Sequence, residues 1–354
     1  MSLALQAISP ELLAARAHID LTDARRIVSL VHRRGALPER SPATIRRSAL
    51  DAARAIGEVP GIEVAERRAS AVDPFVKFSF RLPGGAEIET VRIPLEKPGR
   101  FSVCVSSQVG CALACSFCAT GTMGLQRNLE VWEIVEQVRR VREDLLASPP
   151  ALPEGARPKI HGVVFQGMGE PMANLDRVIE AIAVLGDPSA QAIDVRNITV
   201  CTAGIPSGIR RLAAEVPAAR LGLSLGSARP GARRSLMPID GAHPLSVVLE
   251  AAGEHARITG HAPMFAYTLL AGHNDADEDA AHLAALVTGF AAKHGVRPRL
   301  SLIPFNTFDG TTFDRSARLV AFRDALARGG APAIVRYSGG GDVGAACGQL
   351  VAGR

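Results

Sequence analysis

Apolar positions divide the 354-residue chain into three regimes. Over residues 8–60 they recur at helical spacing. Ser9-Pro10-Glu11 reads as a helix start with proline in the first turn. Thr22-Asp23 reads as the cap of a second helix in which Ala24, Ile27, Val28 and Val31 share a face. The pattern then turns to β-type. Phe75–Leu82 and Ile88–Ile93 flank Pro83-Gly84-Gly85, a turn signal, and predict a hairpin, after which Lys97-Pro98-Gly99 reads as a linker. From Arg100 onward, short apolar runs alternate with amphipathic stretches. Phe101–Val105, Ile160–Phe165, Ile198–Cys201, Leu221–Leu225, Met264–Leu270 and Leu300–Pro304 predict buried strands. Leu129–Leu146, Leu175–Leu185, Gly208–Ala214, Leu245–Thr259 and Ala276–His294 predict helices. Six β/α units in succession predict an α/β fold: a parallel sheet covered by helices and curled into a partial (β/α)6 barrel. Ligands are then expected beyond the carboxyl ends of the strands. The expected divisions are an N-terminal helical accessory domain over 1–70, a short β-hairpin extension over 71–99, the barrel over 100–310, and a C-terminal segment over 311–354.

Composition narrows the function classes only slightly. A formal charge of +5 and a pI near 9.1 suit a polyanionic partner, although net charge speaks to encounter and solubility, not to chemistry. With one Trp and two Tyr, recognition by many stacked aromatics is not expected. No apolar run has the length of a membrane span, and Glu11, Asp20 and Asp23 interrupt any signal-peptide pattern. Six cysteines, three of them clustered, argue for a reducing cytoplasm in which thiolates serve metal or redox chemistry.

The clustered three carry the strongest signal. Cys111-Ala-Leu-Ala-Cys115-Ser-Phe-Cys118 directly follows the first barrel strand. Three thiolates at this spacing hold three corners of an iron–sulfur cube, where an electron-transfer cluster usually takes four. The fourth iron is left open, as at catalytic metal sites. The competing readings are a structural zinc site completed by a distant histidine, or buried small residues. After the second strand comes Gln166-Gly167-Met168-Gly169-Glu170-Pro171. Its glycines let backbone approach a ligand closely, and Glu170 can accept from an ammonium group. By itself that stretch reads equally as a glycine-rich β/α turn.

The cluster motif, the preceding strand and the β/α run together resemble the radical S-adenosylmethionine superfamily. Further motifs narrow the resemblance to one family: Cys104-Val-Ser-Ser-Gln-Val-Gly-Cys111, Cys118-Ala-Thr-Gly, Arg127-Asn128-Leu129, Gly167-Met-Gly-Glu-Pro171, Arg196-Asn-Ile-Thr199, Ile303-Pro-Phe-Asn306 and Ala345-Ala-Cys347-Gly-Gln-Leu350. These resemble the RlmN/Cfr family of RNA adenosine methyltransferases over about Glu87 to Leu350. The resemblance implies a 4Fe-4S cluster on Cys111, Cys115 and Cys118, and S-adenosylmethionine held by Gly169, Glu170, Cys201, Ser224 and Asn306. It implies two S-adenosylmethionine molecules per turnover, one as methyl donor and one as the source of a 5′-deoxyadenosyl radical. It also implies that Cys347 is methylated first, that Glu89 is the proton acceptor, and that Cys104 resolves the adduct through a transient disulfide with Cys347. Glu87, on the same strand face, competes with Glu89.

Two positions depart from the family pattern. Gly226 stands where the family has histidine in Ser-x-His, and Cys201 stands where it has serine. Arg229, Arg233 and Arg234, with Lys97, Arg100 and Arg127, are expected to form an electropositive rim for RNA phosphates; a solvated arginine-rich surface is the plainer alternative. By resemblance the substrate is adenosine C2 in 23S rRNA, with a tRNA adenosine as a second target. The target base must be unstacked to reach the site. A Cfr-type C8 methyltransferase is the first alternative. A non-enzymatic iron–sulfur protein that binds RNA or senses redox state is the alternative from another class. An electron donor such as flavodoxin and a monomeric, cytoplasmic protein complete the expectations.

Overall fold

The structure, a computed structural model, describes residues 2–351. Helices α1 (Pro10–Ala17), α2 (Leu21–Arg34) and α3 (Arg47–Ile56) form the N-terminal unit, tied by strand β1 (Leu3–Ala4) pairing in parallel with β2 (Gly57–Glu58). Ser9 caps α1 by accepting from the Leu12 amide at 3.2 Å. The cap of α2 is Asp20, which accepts from Thr22 N at 2.7 Å, so the helix starts earlier than Thr22-Asp23. Asp23 instead pairs with Arg46 ahead of α3. Leu13, Ala24, Ile27, Val28, Val31 and Leu50 make a separate small core here.

A ten-stranded sheet follows. Its antiparallel part is β3 (Glu63–Ala69), β4 (Val76–Arg81), β5 (Glu87–Pro94) and β6 (Arg100–Val105). Between β6 and the next strand of that sheet lie a two-stranded ribbon, β7 (Gln108–Cys111) with β8 (Gly124–Asn128), and helix α4 (Val131–Ala147). The chain then alternates through β9 (Lys159–Phe165), α5 (Leu175–Gly186), β10 (Ile198–Thr202), α6 (Pro206–Glu215), β11 (Arg220–Ser224), α7 (Arg233–Leu236), α8 (Leu245–Thr259), β12 (Met264–Leu269), α9 (Asp277–His294), β13 (Arg299–Pro304), α10 (Leu319–Arg328) and β14 (Ala333–Val335). The order across the sheet is β14-β13-β12-β11-β10-β9-β6-β5-β4-β3, with β6 and β9–β14 parallel.

All six strands expected from the apolar runs are present, and β14 adds a seventh parallel strand that is only three residues long. The hairpin β4–β5 is not a separate extension: β5 pairs with β6 in the register Val91↔Cys104 and Ile93↔Ser102, so it continues the barrel sheet. Strand β3, inside the region expected to be helical, is exposed throughout. Its sequence Glu-Val-Ala-Glu-Arg-Arg-Ala shows no buried face, as suits an edge strand guarded by charge. Gln137 of α4 fastens β5 and β6 near their site ends: its Oε1 accepts from Ser106 N at 2.8 Å and Thr90 Oγ1 at 2.7 Å, and its Nε2 donates to Ser106 O. No helix among the described residues is long and apolar enough to cross a membrane.

Candidate active site

The three clustered cysteines lie on the ribbon loop between β7 and β8. The loop turns tightly enough that Gly110 takes a φ of 75° and any Cβ there would overlap the Gly124 carbonyl. Ala114 also adopts a left-handed conformation, φ 50°. Cys111, Cys115 and Cys118 line one cavity with Gly169, Glu170, Cys201, Ser224 and Cys347. Burial pushes the thiol of Cys111 up to about 11 and that of Cys115 up to about 12, and raises Cys118 as well. These thiols stay protonated unless a metal displaces the protons. Among the described residues no three His, Cys, Asp or Glu side chains are spaced to hold a metal ion as they stand. Three thiols on one short loop, facing a cavity with carboxylate and hydroxyl groups opposite, fit a 4Fe-4S cluster whose last iron is left to a small molecule.

Gly169 follows β9 with φ 97°, and a Cβ there would come within 2.6 Å of Gln108 Cβ. This places Glu170 against the ends of two strands. Its Oε2 accepts from Ala203 N at 2.8 Å and its Oε1 from Met172 N at 3.0 Å. Burial raises its pKa, and those amides with the Thr202 hydroxyl pull it back. The carboxylate lines the cavity, where a ligand ammonium would neutralise it. Ser224 ends β11 on the same cavity wall. Cys201, near the end of β10, is 3.7 Å from Gln166 Oε1, and burial pushes its thiol up to about 12.

Asn306 follows β13 and has partners on the tail. Its Nδ2 donates to Ser338 Oγ at 2.8 Å, Pro304 O at 3.2 Å and Cys347 O at 3.3 Å, which makes it a clamp on the C-terminal segment. That segment brings Cys347 to the cofactor cavity. It is threaded past the cluster loop by Ala119 N donating to Gly348 O at 2.8 Å and Thr120 Oγ1 to Leu350 O at 2.6 Å. It then reaches Glu89, whose Oε2 accepts from Val351 N at 2.9 Å.

Glu89 is almost fully buried. Its Oε1 is 2.8 Å from Lys77 Nζ and 3.4 Å from Ser79 Oγ. Burial raises its pKa, opposed by the Lys77 ammonium and the Val351 amide. Glu87 lies two residues outward, is 2.9 Å from Arg81, and lines the same cleft as Glu89. Lys77 and Ser79 escaped the sequence reading, although the alternation Val76-Lys77-Phe78-Ser79-Phe80 marks them as one polar face of β4. Cys104, on β6, shares a neighbouring cavity with Cys347, and all six cysteines are free thiols. No pair of cysteines among the described residues is at disulfide distance, so the expected Cys104–Cys347 bond is not present.

The radical S-adenosylmethionine superfamily model matches residues 105–285, half of the chain. A probable RNA methyltransferase of Sorangium cellulosum is 68% identical over 96% of this chain and 90% of its own length. A dual-specificity RNA methyltransferase RlmN of Syntrophobacter fumaroxidans is 42% identical over 81% of this chain and 79% of its own length. A crystal structure of a radical SAM methyltransferase from Sphaerobacter thermophilus superimposes with a TM-score of 0.85 at 32% identity, covering 98% and 99% of the two chains. The chain belongs to the RlmN/Cfr family of radical S-adenosylmethionine RNA methyltransferases.

One expectation, about surface charge, needs correction. The electropositive rim does not assemble as six residues. Arg233 is buried and donates to Leu225 O and Asp240 Oδ1. Arg229 pairs with Asp279 and Arg127 with Glu133. Lys97 and Arg100 lie at the amino end of β6, opposite the site, in a cleft with Arg157 and Lys159. Arg234 is exposed, with its guanidinium against Gly241 and no acidic partner among the described residues. Acidic neighbours in three-dimensional contact absorbed Arg127, Arg229 and Arg233. Gly226 is the position where this RlmN/Cfr member departs from the family's Ser-x-His pattern. The position has φ 70°, its carbonyl accepts from Asn274 Nδ2 at 2.8 Å, and a Cβ would sit 2.6 Å from Met237 Sδ. This backbone is built around glycine, and Met237 fills the adjoining cavity wall.

Proposed function

We propose that the enzyme methylates C2 of an adenosine in 23S rRNA through an S-methyl intermediate on Cys347, with a tRNA adenosine as a second substrate. The observation that carries this reading is the path of the tail. Over four residues it runs from Cys347, in the cavity of the cluster cysteines, to Val351 on the carboxylate of Glu89. One short segment thus carries the methyl-accepting cysteine at one end and is tied at the other to the proton-accepting carboxylate on β5. The Gly169-Glu170-Pro171 stretch and the Val-Gly before Cys111 lean toward C2 over the Cfr-type C8 reaction. The dual-specificity wording of the RlmN relatives supports more than one RNA target.

In this reading Cys111, Cys115 and Cys118 hold the cluster, and Glu170 and Ser224 face S-adenosylmethionine. Together the two supply the one-electron cleavage that yields a 5′-deoxyadenosyl radical. The thiolate of Cys347 first takes a methyl group from one S-adenosylmethionine by displacement. Radical chemistry is then needed because an adenine ring carbon offers no lone pair to attack a methyl donor. Once the methylene carbon has joined Cys347 sulfur to the base, Glu89 removes the ring proton. Its raised pKa brings it closer to the working pH of a general base. The unpaired electron of the adduct would pass to the cluster that Cys111, Cys115 and Cys118 hold as the ring proton leaves; the Cys104 thiolate then attacks Cys347 Sγ, the sulfur–carbon bonding pair goes to the carbon, which takes up a proton to become the product methyl group, and a disulfide remains. The site requires a second S-adenosylmethionine as the radical source.

Peptide mass spectrometry of protein made in cells should find one methyl group on the Cys347 peptide. Its absence from cluster-loaded protein would remove the intermediate. Nucleoside analysis of RNA from cells with and without the gene separates the C2 from the C8 product, and no change in either would sink the substrate assignment.

A further inference from the structure

Cys104 and Cys347 also face a second cavity, of about 400 Å³, inside the partial barrel. Ser102 and Cys104 of β6, Thr199 of β10 and Ser301 of β13 line it from the strands, with Gln166 at the end of β9. Barrel interiors are ordinarily filled by branched apolar side chains. Small hydroxyl residues here leave an open lumen instead, beside apolar neighbours such as Val163, Val164 and Val335. Arg336, just after β14, enters it and donates Nη1 to Gln166 Oε1 at 3.1 Å. Burial holds the Cys104 thiol far above the usual thiol range and pushes Cys201 up to about 12, and the Arg336 charge opposes that rise at both. The mouth lies between the end of β5 and β14, where Glu96, Ile334 and Tyr337 are exposed. The cleft over Glu89, lined by Lys77, Ser79, Glu87 and Gln349, shares no lining residue with this lumen, and the tail divides the two.

We propose that the lumen admits a low-molecular-weight thiol bearing a carboxylate, oriented by Arg336, which reduces the Cys104–Cys347 disulfide from behind. The proposal rests on the disulfide step of the function given above. A reductant entering by the Glu89 cleft would compete with departing RNA, whereas this lumen reaches the same sulfurs on its own path. The external thiolate attacks Cys347 Sγ, the more exposed sulfur, forming a mixed disulfide and expelling Cys104 as a thiolate that then takes up a proton. A second thiolate attacks the external sulfur of that mixed disulfide, releasing the Cys347 thiolate. Two external thiols are oxidised to one disulfide and the enzyme regains both thiols. Arg336 both holds the carboxylate and stabilises the departing Cys104 sulfur.

The test uses full-length, cluster-loaded protein oxidised with diamide, with the disulfide mapped by peptide mass spectrometry. Its reduction by mercaptoacetate and by 2-mercaptoethanol is followed by alkylation quench at equal thiolate concentration. Mercaptoacetate should be faster by about fivefold, as a charge-assisted contact implies. Arg336→Gln should abolish that preference and Arg336→Lys should retain it. Ser102→Phe, which fills the lumen, should slow both thiols. Equal rates in the unmodified protein, or a preference that survives Arg336→Gln, overturn the route while leaving the disulfide step standing. So does rapid reduction by a protein dithiol with none by either small thiol. Failure of any Cys104–Cys347 disulfide to form overturns the disulfide step and the route together.

Discussion

Removing the ammonium beside Glu89 should change stability and chemistry in the same pH-dependent way. In Lys77→Met the carboxylate would remain buried, with only Ser79 and the Val351 amide as partners. Breaking a buried ion pair by deleting one partner costs about 3–5 kcal/mol when the other stays charged. Glu89 limits that cost by protonating. Its folded pKa is already above the ordinary glutamate value, and without Lys77 it rises further. A group with a raised folded pKa contributes stability that is fully present below its unfolded pKa and is lost as pH climbs through the folded value. The variant should therefore be close to the parent near pH 5 and about 3 kcal/mol less stable at pH 8. At about 2 cal/mol/K per residue, that difference lowers Tm by about 4 °C. Thermal denaturation of the cluster-free protein at the two pH values, followed by circular dichroism, measures it. Adding Glu89→Gln to Lys77→Met should recover most of the loss, because no buried charge remains. The rising limb of the single-turnover pH profile should also move to higher pH in Lys77→Met and stay in place in Lys77→Arg. A pH-independent Tm difference, or an unmoved limb, would refute the assignment of Glu89 as a buried base held by Lys77.

Cys104→Ala should retain methylation of Cys347 and accumulate a covalent protein–RNA species, visible as a nuclease-sensitive shift on a denaturing gel. Cys118→Ala should lose the iron and the visible absorbance of the reconstituted cluster, with little change in the circular dichroism of the barrel. Gly226→His would restore the family residue, yet it places a side chain at positive φ against Met237; urea denaturation should show a loss of about 2 kcal/mol, and calorimetric titration no gain in S-adenosylmethionine affinity. Asn306→Ala frees the tail, so hydrogen exchange across residues 338–347 should speed up while exchange in β13 stays slow.

Local pattern was enough to locate most of the scaffold. The six apolar runs became β6 and β9–β13 because a strand buried on both faces needs a continuous run and nothing else. Strands β3 and β14 were not legible for opposite reasons. The first carries charge on both faces, and the second is three residues long at the sheet edge. Lys77 and Ser79 were legible as an alternating polar face but had no stated purpose until Glu89 was found opposite them. Arg336 lies inside the last apolar segment, Ala333–Tyr337, and nothing in that stretch marks it for a cavity.

The order of residues along the chain by itself determined the chemistry available: three closely spaced thiols for a cluster, a glycine-flanked carboxylate, and two further cysteines in distinctive surroundings. Those depend on spacing within a few residues, which the chain holds whatever its fold. Only tertiary structure decided how that chemistry is used. Cys104 and Cys347 are 243 positions apart, and the strand order β14-β13-β12-β11-β10-β9-β6 closes that gap by curling the sheet until its first and last parallel strands flank one lumen. Three dimensions also withdrew what the sequence appeared to offer. Arg233, Arg229 and Arg127 are satisfied by groups distant or local that no charge count reveals, because pairing depends on proximity in space and composition does not record it.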